Sequence, residues 1–175
     1  MLEDQASAYA EALFAVTRAE GDHERVEDEL FRFARALEGS PELREGLGDP
    51  EIPTVKRQQI VEDLLGSSAA STTVGIVSLL VATDRMSDFS QIIDAFVNRV
   101  ARHSGAKVAN VRSAVELSAD QRERLTAALE QQVGHKVALK VIVDPTVLGG
   151  VVTEIGDTVI DGSVRRRLNQ LREVF

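Results

Sequence analysis

The hydrophobic period of this chain changes once, at Ser104-Gly105-Ala106, and that change constrains the fold more than any other feature. Before it, apolar residues recur at helical spacing; after it, they alternate as on one face of a strand. A chain of 175 residues with one such switch reads as an α+β protein. We expect an N-terminal six-helix bundle over 1–105, followed by a small β-α-β-β-β-α domain over 106–175.

The helices of the first half are bounded by recognisable stops and starts. Asp4 to Glu20 carries Ala6, Tyr9, Ala10, Leu13 and Val16 at helical spacing, and Gly21 ends it. Asp22 is placed to cap a second helix with a stripe of Val26, Leu30, Phe33, Ala34 and Leu37, closed by Gly39. Ser40-Pro41 is an N-cap followed by proline at the first helical position. Thr54 to Leu65 is a fourth helix. Ala69 to Thr83 is a fifth, apolar nearly all round, which predicts a central position or a second buried face. Asp84-Arg85 breaks it, and Ser87 to His103 is the sixth.

In the second half, Lys107 to Leu117 predicts a strand with Ala109, Val111, Ser113, Val115 and Leu117 on one face. Ser118-Ala119-Asp120-Gln121 has capping-box spacing, and Gly134 fits the end of the helix that follows. Val137 to Val143 is apolar on both faces and predicts a central strand. Gly156-Asp157 lies between two apolar-rich runs, a two-residue hairpin signal. Asp161-Gly162-Ser163 then stops the strand ahead of a last helix with Val164, Leu168 and Leu171.

Composition removes several functions. The absence of cysteine excludes disulfides, thiol catalysis and cysteine metal sites. A net charge of −8 argues against a general nucleic-acid binder. The charge is uneven: residues 1–105 hold ten Lys and Arg against nineteen Asp and Glu, and residues 106–175 hold ten against nine. Two domains with different partners, or one solvated acidic surface, both fit that asymmetry. No apolar run approaches a bilayer span, so membrane association is expected only through partners.

Reaction chemistry is not evident. His23, His103 and His135 lack metal-ligand spacing and read as surface or capping residues. Gly149-Gly150 feeds a strand rather than a helix N-terminus, which suits a kink or close backbone packing and not a phosphate cradle. Arg165-Arg166-Arg167 cannot all share one helix face; a solvated face and a patch for an acidic partner helix are both open. Asp157 and Asp161 are accounted for by turn and cap. No metal or organic cofactor is implied. Small residues at Ala8, Ala12 and Gly75 would leave room for another helix to lie between two of the chain's own; internal packing is the alternative.

The run Gly149 to Leu168, with Gly-Gly, Gly-Asp and Asp-Gly-Ser-Val-Arg-x-Arg-Leu, resembles the C-terminal signature of the delta subunit family of F-type ATP synthase. The mitochondrial relative is the oligomycin-sensitivity-conferring protein. Tyr9-Ala10-Glu11-Ala12-Leu13-Phe14 is similar to that family's first-helix motif, Tyr-Ala-x-Ala-Leu-Phe, and Arg85-Met86 ahead of an amphipathic helix with Phe96 also fits.

The resemblance implies a non-enzymatic stator subunit on the cytoplasmic face of the membrane, one copy per complex. Its helical domain would hold N-terminal segments of the alpha subunits, one in a groove between the first and fifth helices. Its second domain would bind the C-terminal end of the b-type peripheral stalk. Carried over, the groove is Tyr9, Ala12 and Val16 with Gly75, Ile76 and Leu79. Arg165 and Arg167 match the family's two arginines, as stalk contacts or as braces of the small domain. Position 11 is Glu where that family commonly has Lys, which predicts an acidic groove environment and a basic, salt-sensitive partner segment. With the motif so close to Phe175, a stalk contact is expected to use the folded domain or its last helix. A helical nucleic-acid binder and a small enzyme using the Gly149-Gly150 loop are the competing readings.

Overall fold

A computed structural model describes residues 2–163. Among them are seven α-helices, one 3-10 turn and one four-stranded sheet. In order, these are α1 (Leu2–Glu20), α2 (His23–Gly39), α3 (Pro41–Gly48), α4 (Thr54–Leu65), α5 (Ser71–Ala82), the 3-10 turn Met86–Asp88 and α6 (Phe89–His103). Then come β1 (Ala106–Ser113), α7 (Ala119–Val133), β2 (Lys136–Val143), β3 (Val151–Ile155) and β4 (Thr158–Asp161). The chain divides into two compact units, residues 1–100 and 101–175, the division falling within α6. The last helix read from the sequence, with Arg165 and Arg167, lies outside the described residues.

In the helical unit α2 packs against α1, α3 and α5. Its whole apolar stripe, Val26, Leu30, Phe33, Ala34 and Leu37, is buried. Phe33 meets Phe89 of α6 edge to face, ring centroids 5.5 Å apart, a geometry favoured by the ring quadrupoles. The apolar α5 buries Ile76, Val77, Leu80 and Val81 but leaves Leu79 51% exposed. Its excess hydrophobicity therefore reaches the surface of the unit, on the side described below.

The local signals translate directly. Gly21 has φ +77 after α1. The Ser40 hydroxyl accepts from the Leu43 N–H at 3.3 Å, with Pro41 in the first turn of α3. Both hydrogen bonds of the Ser118/Gln121 capping box are made, and Gly134 closes α7 in the left-handed conformation. The sixth helix starts later than expected, because Met86–Asp88 forms the 3-10 turn. Asp22 departs from its expected role: its side chain does not cap α2 but accepts from the Thr72 hydroxyl at 2.8 Å.

The sheet order is β2-β1-β3-β4. β1 and β2 are parallel, joined by α7 as the crossover that parallel pairing demands. β1 and β3, and β3 and β4, are antiparallel. Leu125, Leu129 and Val133 of α7 pack over Ala109, Val137 and Ile155 to form this unit's core.

Two strand expectations are corrected. β2 is an edge strand among the described residues, not a central one; β1 lies inside because the β3–β4 hairpin takes its other edge. Apolar residues on both faces of a strand record burial, not the number of hydrogen-bonded neighbours. β1 also ends at Ser113, which is paired with Val143 on one side and Val151 on the other. Beyond it no strand among the described residues pairs with the chain, and Val115 is 67% exposed instead of continuing the buried face.

Candidate functional site

A groove of about 410 Å³ opens between α1 and α5. Leu13, Val16 and Glu20 line one wall, spaced so that they share a helix face. Ser71, Thr72, Gly75, Ile76 and Leu79 line the other. Leu13 and Ile76 are buried, whereas Val16 and Leu79 are each about half exposed. Gly75 keeps the groove open: a Cβ built there meets nothing within 4 Å. The helices run antiparallel. Glu20, at the end of α1, shares the groove with Ser71, at the start of α5, while Arg85, just past α5, lies 5.8 Å over the Tyr9 ring.

Of the six groove residues carried by the resemblance, Val16, Gly75, Ile76 and Leu79 line this one opening. Tyr9 and Ala12 do not: Tyr9 is half-buried under Arg85, and Ala12 is exposed. Leu13, Glu20, Ser71 and Thr72 line the groove without having been singled out. The helical spacing of Leu13 and Val16 was the available signal for Leu13; nothing local marked the other three. Glu11 does not make the groove acidic. Its carboxylate pairs with Arg99 of α6 at 2.9 Å, so this charge is spent within the unit, and Glu20 is the groove's one ionisable lining residue among those described.

The α5 wall is held at its N-terminus from outside. α5 has Ala70 at its N-cap and no side-chain cap of its own. Instead Glu29 of α2 accepts from the Ala70 N–H at 2.9 Å and from the Thr73 hydroxyl, while Arg25 donates to it at 2.8 Å. Asp22 takes the Thr72 hydroxyl. The Ala70 bond satisfies one N–H that a helix start leaves open, the two hydroxyl bonds tie the first turn of α5 to Glu29 and Asp22, and both carboxylates lie where the helix dipole favours negative charge. Burial pushes the Glu29 carboxyl up, but the bonds from Thr73, Ala70 and Arg25 outweigh it and hold it below 4.5. A carboxyl lowered on folding adds stability in full above its unfolded value and loses it as pH falls through its folded value. Glu29→Gln should therefore be less stable than the parent at neutral pH, with urea midpoints converging as pH drops below 4.5. A gap independent of pH would remove the carboxylate from this role.

A larger hollow, about 600 Å³, lies between Arg44, Asp49, Arg57, Asp84 and Met86, but its buried arginine is committed to the fold. Arg57 donates to Asp84, Thr54 and the Ile52 and Leu47 carbonyls. Among the described residues no group of three or more His, Asp or Glu is placed to hold a metal, and no helix is long and apolar enough to cross a membrane. His135 faces the Val133 carbonyl at 2.8 Å. Gly150 sits against the backbone of Gly162, the close packing expected of the glycine pair.

Fold and groove define a class of protein: an α+β chain whose helical unit carries an open, apolar, helix-lined groove. Residues 6–175 match the ATP synthase delta (OSCP) subunit family, and the chain belongs to it. It is 39% identical over 159 residues to the ATP synthase subunit delta of Kineococcus radiotolerans, covering 90% of this chain but 58% of that relative's length. The subunit delta of Desulforudis audaxviator is 32% identical over 168 residues, covering 96% of this chain and 92% of the relative. The fold also matches a chain of the Toxoplasma gondii mitochondrial ATP synthase hexamer with a TM-score of 0.59 at 24% identity, covering 96% of this chain and 95% of that one. A chain from the Polytomella F-ATP synthase, in a refinement focussed on F1 head and rotor, matches 57% of this chain and 88% of its own with a TM-score of 0.52.

Proposed function

We propose that this chain is a non-catalytic stator subunit of an F-type ATP synthase. It links the catalytic head to the peripheral stalk so that rotation is coupled to ATP synthesis and proton transport. The observation that carries the reading is the apolar groove between α1 and α5, with Val16 and Leu79 on its rims and the Gly75 gap between them. Family membership supplies the context. In this reading residues 1–105 are a six-helix bundle that receives an N-terminal helical segment of an alpha subunit. Residues 106–175 meet the C-terminal end of the b-type stalk. One copy serves each complex, held to the cytoplasmic face of the membrane through its partners, with no cofactor of its own.

A stator contact must resist torque and so dissociate slowly, and apolar burial of a helix in a groove suits that demand. The test is titration calorimetry of the chain with a peptide of the cognate alpha subunit's N-terminal helix, before and after Gly75→Trp. Space at Gly75 predicts that the variant folds normally. Its indole would fill the groove and weaken binding at least about tenfold, or about 1.4 kcal/mol. Undiminished binding would move the site elsewhere on the helical unit, and absence of binding by the parent chain would remove the head contact from the reading.

A further inference from the structure

The charge at one end of the groove has no partner within the described residues. Glu20 is exposed and lines the groove, and no ion pair or hydrogen bond engages its carboxylate. Its position is also poor for its own helix. As the last residue of α1 it puts a negative charge at the negative end of that helix's dipole. A carboxylate that works against its own helix and faces an open apolar groove is free to meet a segment that fills the groove.

We infer that Glu20 caps the N-terminal turn of the helix that docks in this groove, and so sets its direction. The inference rests on the proposed reading of the groove as the seat of a helix. The first backbone N–H groups of any helix lack partners within the helix, and a carboxylate is the strongest acceptor for them. The same unit already uses this device. At the start of α5, at the same end of the groove, Glu29 accepts from the Ala70 backbone N–H, and Asp22 takes the Thr72 hydroxyl beside it. Those two carboxylates offset the positive end of α5, and α1 presents its negative end there. The whole mouth therefore favours the positive, amino-terminal end of a third helix.

The docked helix then runs antiparallel to α1 and parallel to α5. Its apolar stripe starts near its first turn and runs on over Val16, Gly75 and Leu79. A segment with an acidic residue facing Glu20 in that turn is repelled, which makes Glu20 a specificity residue as well as a cap.

The test uses the full chain and the same alpha-subunit N-terminal peptide, with Glu20→Gln and Glu20→Lys. Removing a charged cap should weaken binding about 3- to 10-fold for Gln and more for Lys. The difference from the parent should shrink as salt is raised. The free Glu20→Gln protein should melt slightly higher than the parent, because the unfavourable dipole contact is gone. Opposite signs for stability and binding separate a cap for the partner from a structural role. Direction is read from a nitroxide on the first residue of the peptide, which should broaden the amide signals of Glu20, Ser71 and Thr72. Broadening stronger at Arg85 than at Ser71 and Thr72 would overturn the direction. An unchanged affinity in Glu20→Gln would overturn the cap, and if Gly75→Trp still blocked the peptide the groove itself would stand. Absence of binding by the parent chain would overturn both.

Discussion

Arg57→Met should lower the stability of the helical unit by about 3 kcal/mol, because the substitution removes a buried cation's hydrogen bonds to two carbonyls, a hydroxyl and a carboxylate together. Arg57 is 2% exposed. Its Nε donates to the Ile52 carbonyl at 3.1 Å and its Nη1 to the Leu47 carbonyl at 3.3 Å. Nη2 reaches Asp84 at 2.8 Å and Thr54 at 3.3 Å. One planar cation thus ties α4 to the end of α3, to the connector before α4 and to the turn after α5. Asp84 sits in that turn with φ +54, the one non-glycine residue at positive φ among those described. Methionine keeps the apolar stem but supplies no donor, so the Leu47 and Ile52 carbonyls lose their arginine partner. The Asp84 carboxylate is 65% exposed and can turn to water, so most of the loss comes from the carbonyls and not from the ion pair.

Lysine tests that division. Arg57→Lys retains the charge but not the fork that reaches separate acceptors in different directions. It should recover only a minor part of the loss in urea denaturation. Full recovery by lysine would mean that charge alone holds this junction, and the account based on the carbonyls would fall.

What the sequence discloses about this fold is set by the distance between interacting residues. Ser40-Pro41, the Ser118/Gln121 box, Gly134 and the Gly156-Asp157 turn act within a few residues of themselves, and each was legible. The limit of β1 was not, because it depends on where β2 and β3 stop pairing. Asp22 illustrates the competition: its position satisfies the rule for capping α2, yet a hydroxyl 50 residues away takes its carboxylate. Glu29 and Arg57 are likewise charged helix residues whose partners lie 41 and 27 residues on. In the groove, Val16, Gly75, Ile76 and Leu79 were named as a set only through the family resemblance. Glu20 was not, since a terminal glutamate on an exposed helix has no sequence mark that separates it from solubilising charge.

Gly150→Ala should be the most damaging single-methyl change in the sheet unit. Gly150 has φ +76, and a Cβ there would stand 2.5 Å from the Gly162 carbonyl oxygen and 3.1 Å from the Ser163 Cα. Both obstacles are backbone, so no side chain can swing aside. The reason for the crowding is the hairpin register. Val152 pairs with Asp161 at the open end of β3–β4, the Gly162 N–H donates to the Val151 carbonyl at 2.9 Å, and Gly150 is the next residue outward. Alanine at positive φ costs about 1–2 kcal/mol by itself, and displacing the backbone adds a similar amount, for a total of about 2–4 kcal/mol. Gly156→Ala is the matched control. It has φ +55 in the same hairpin, but its Cβ meets nothing within 4 Å, so it carries the conformational part alone. Aromatic probes are absent from the described residues of this unit, so amide hydrogen exchange on β1 and β3 is the suitable readout. Exchange should accelerate about 30- to 700-fold in Gly150→Ala and about tenfold in Gly156→Ala, each factor of ten being about 1.4 kcal/mol. Equal acceleration in the two variants would show that the approach of Gly150 to Gly162 contributes nothing, and that positive φ alone accounts for the glycine.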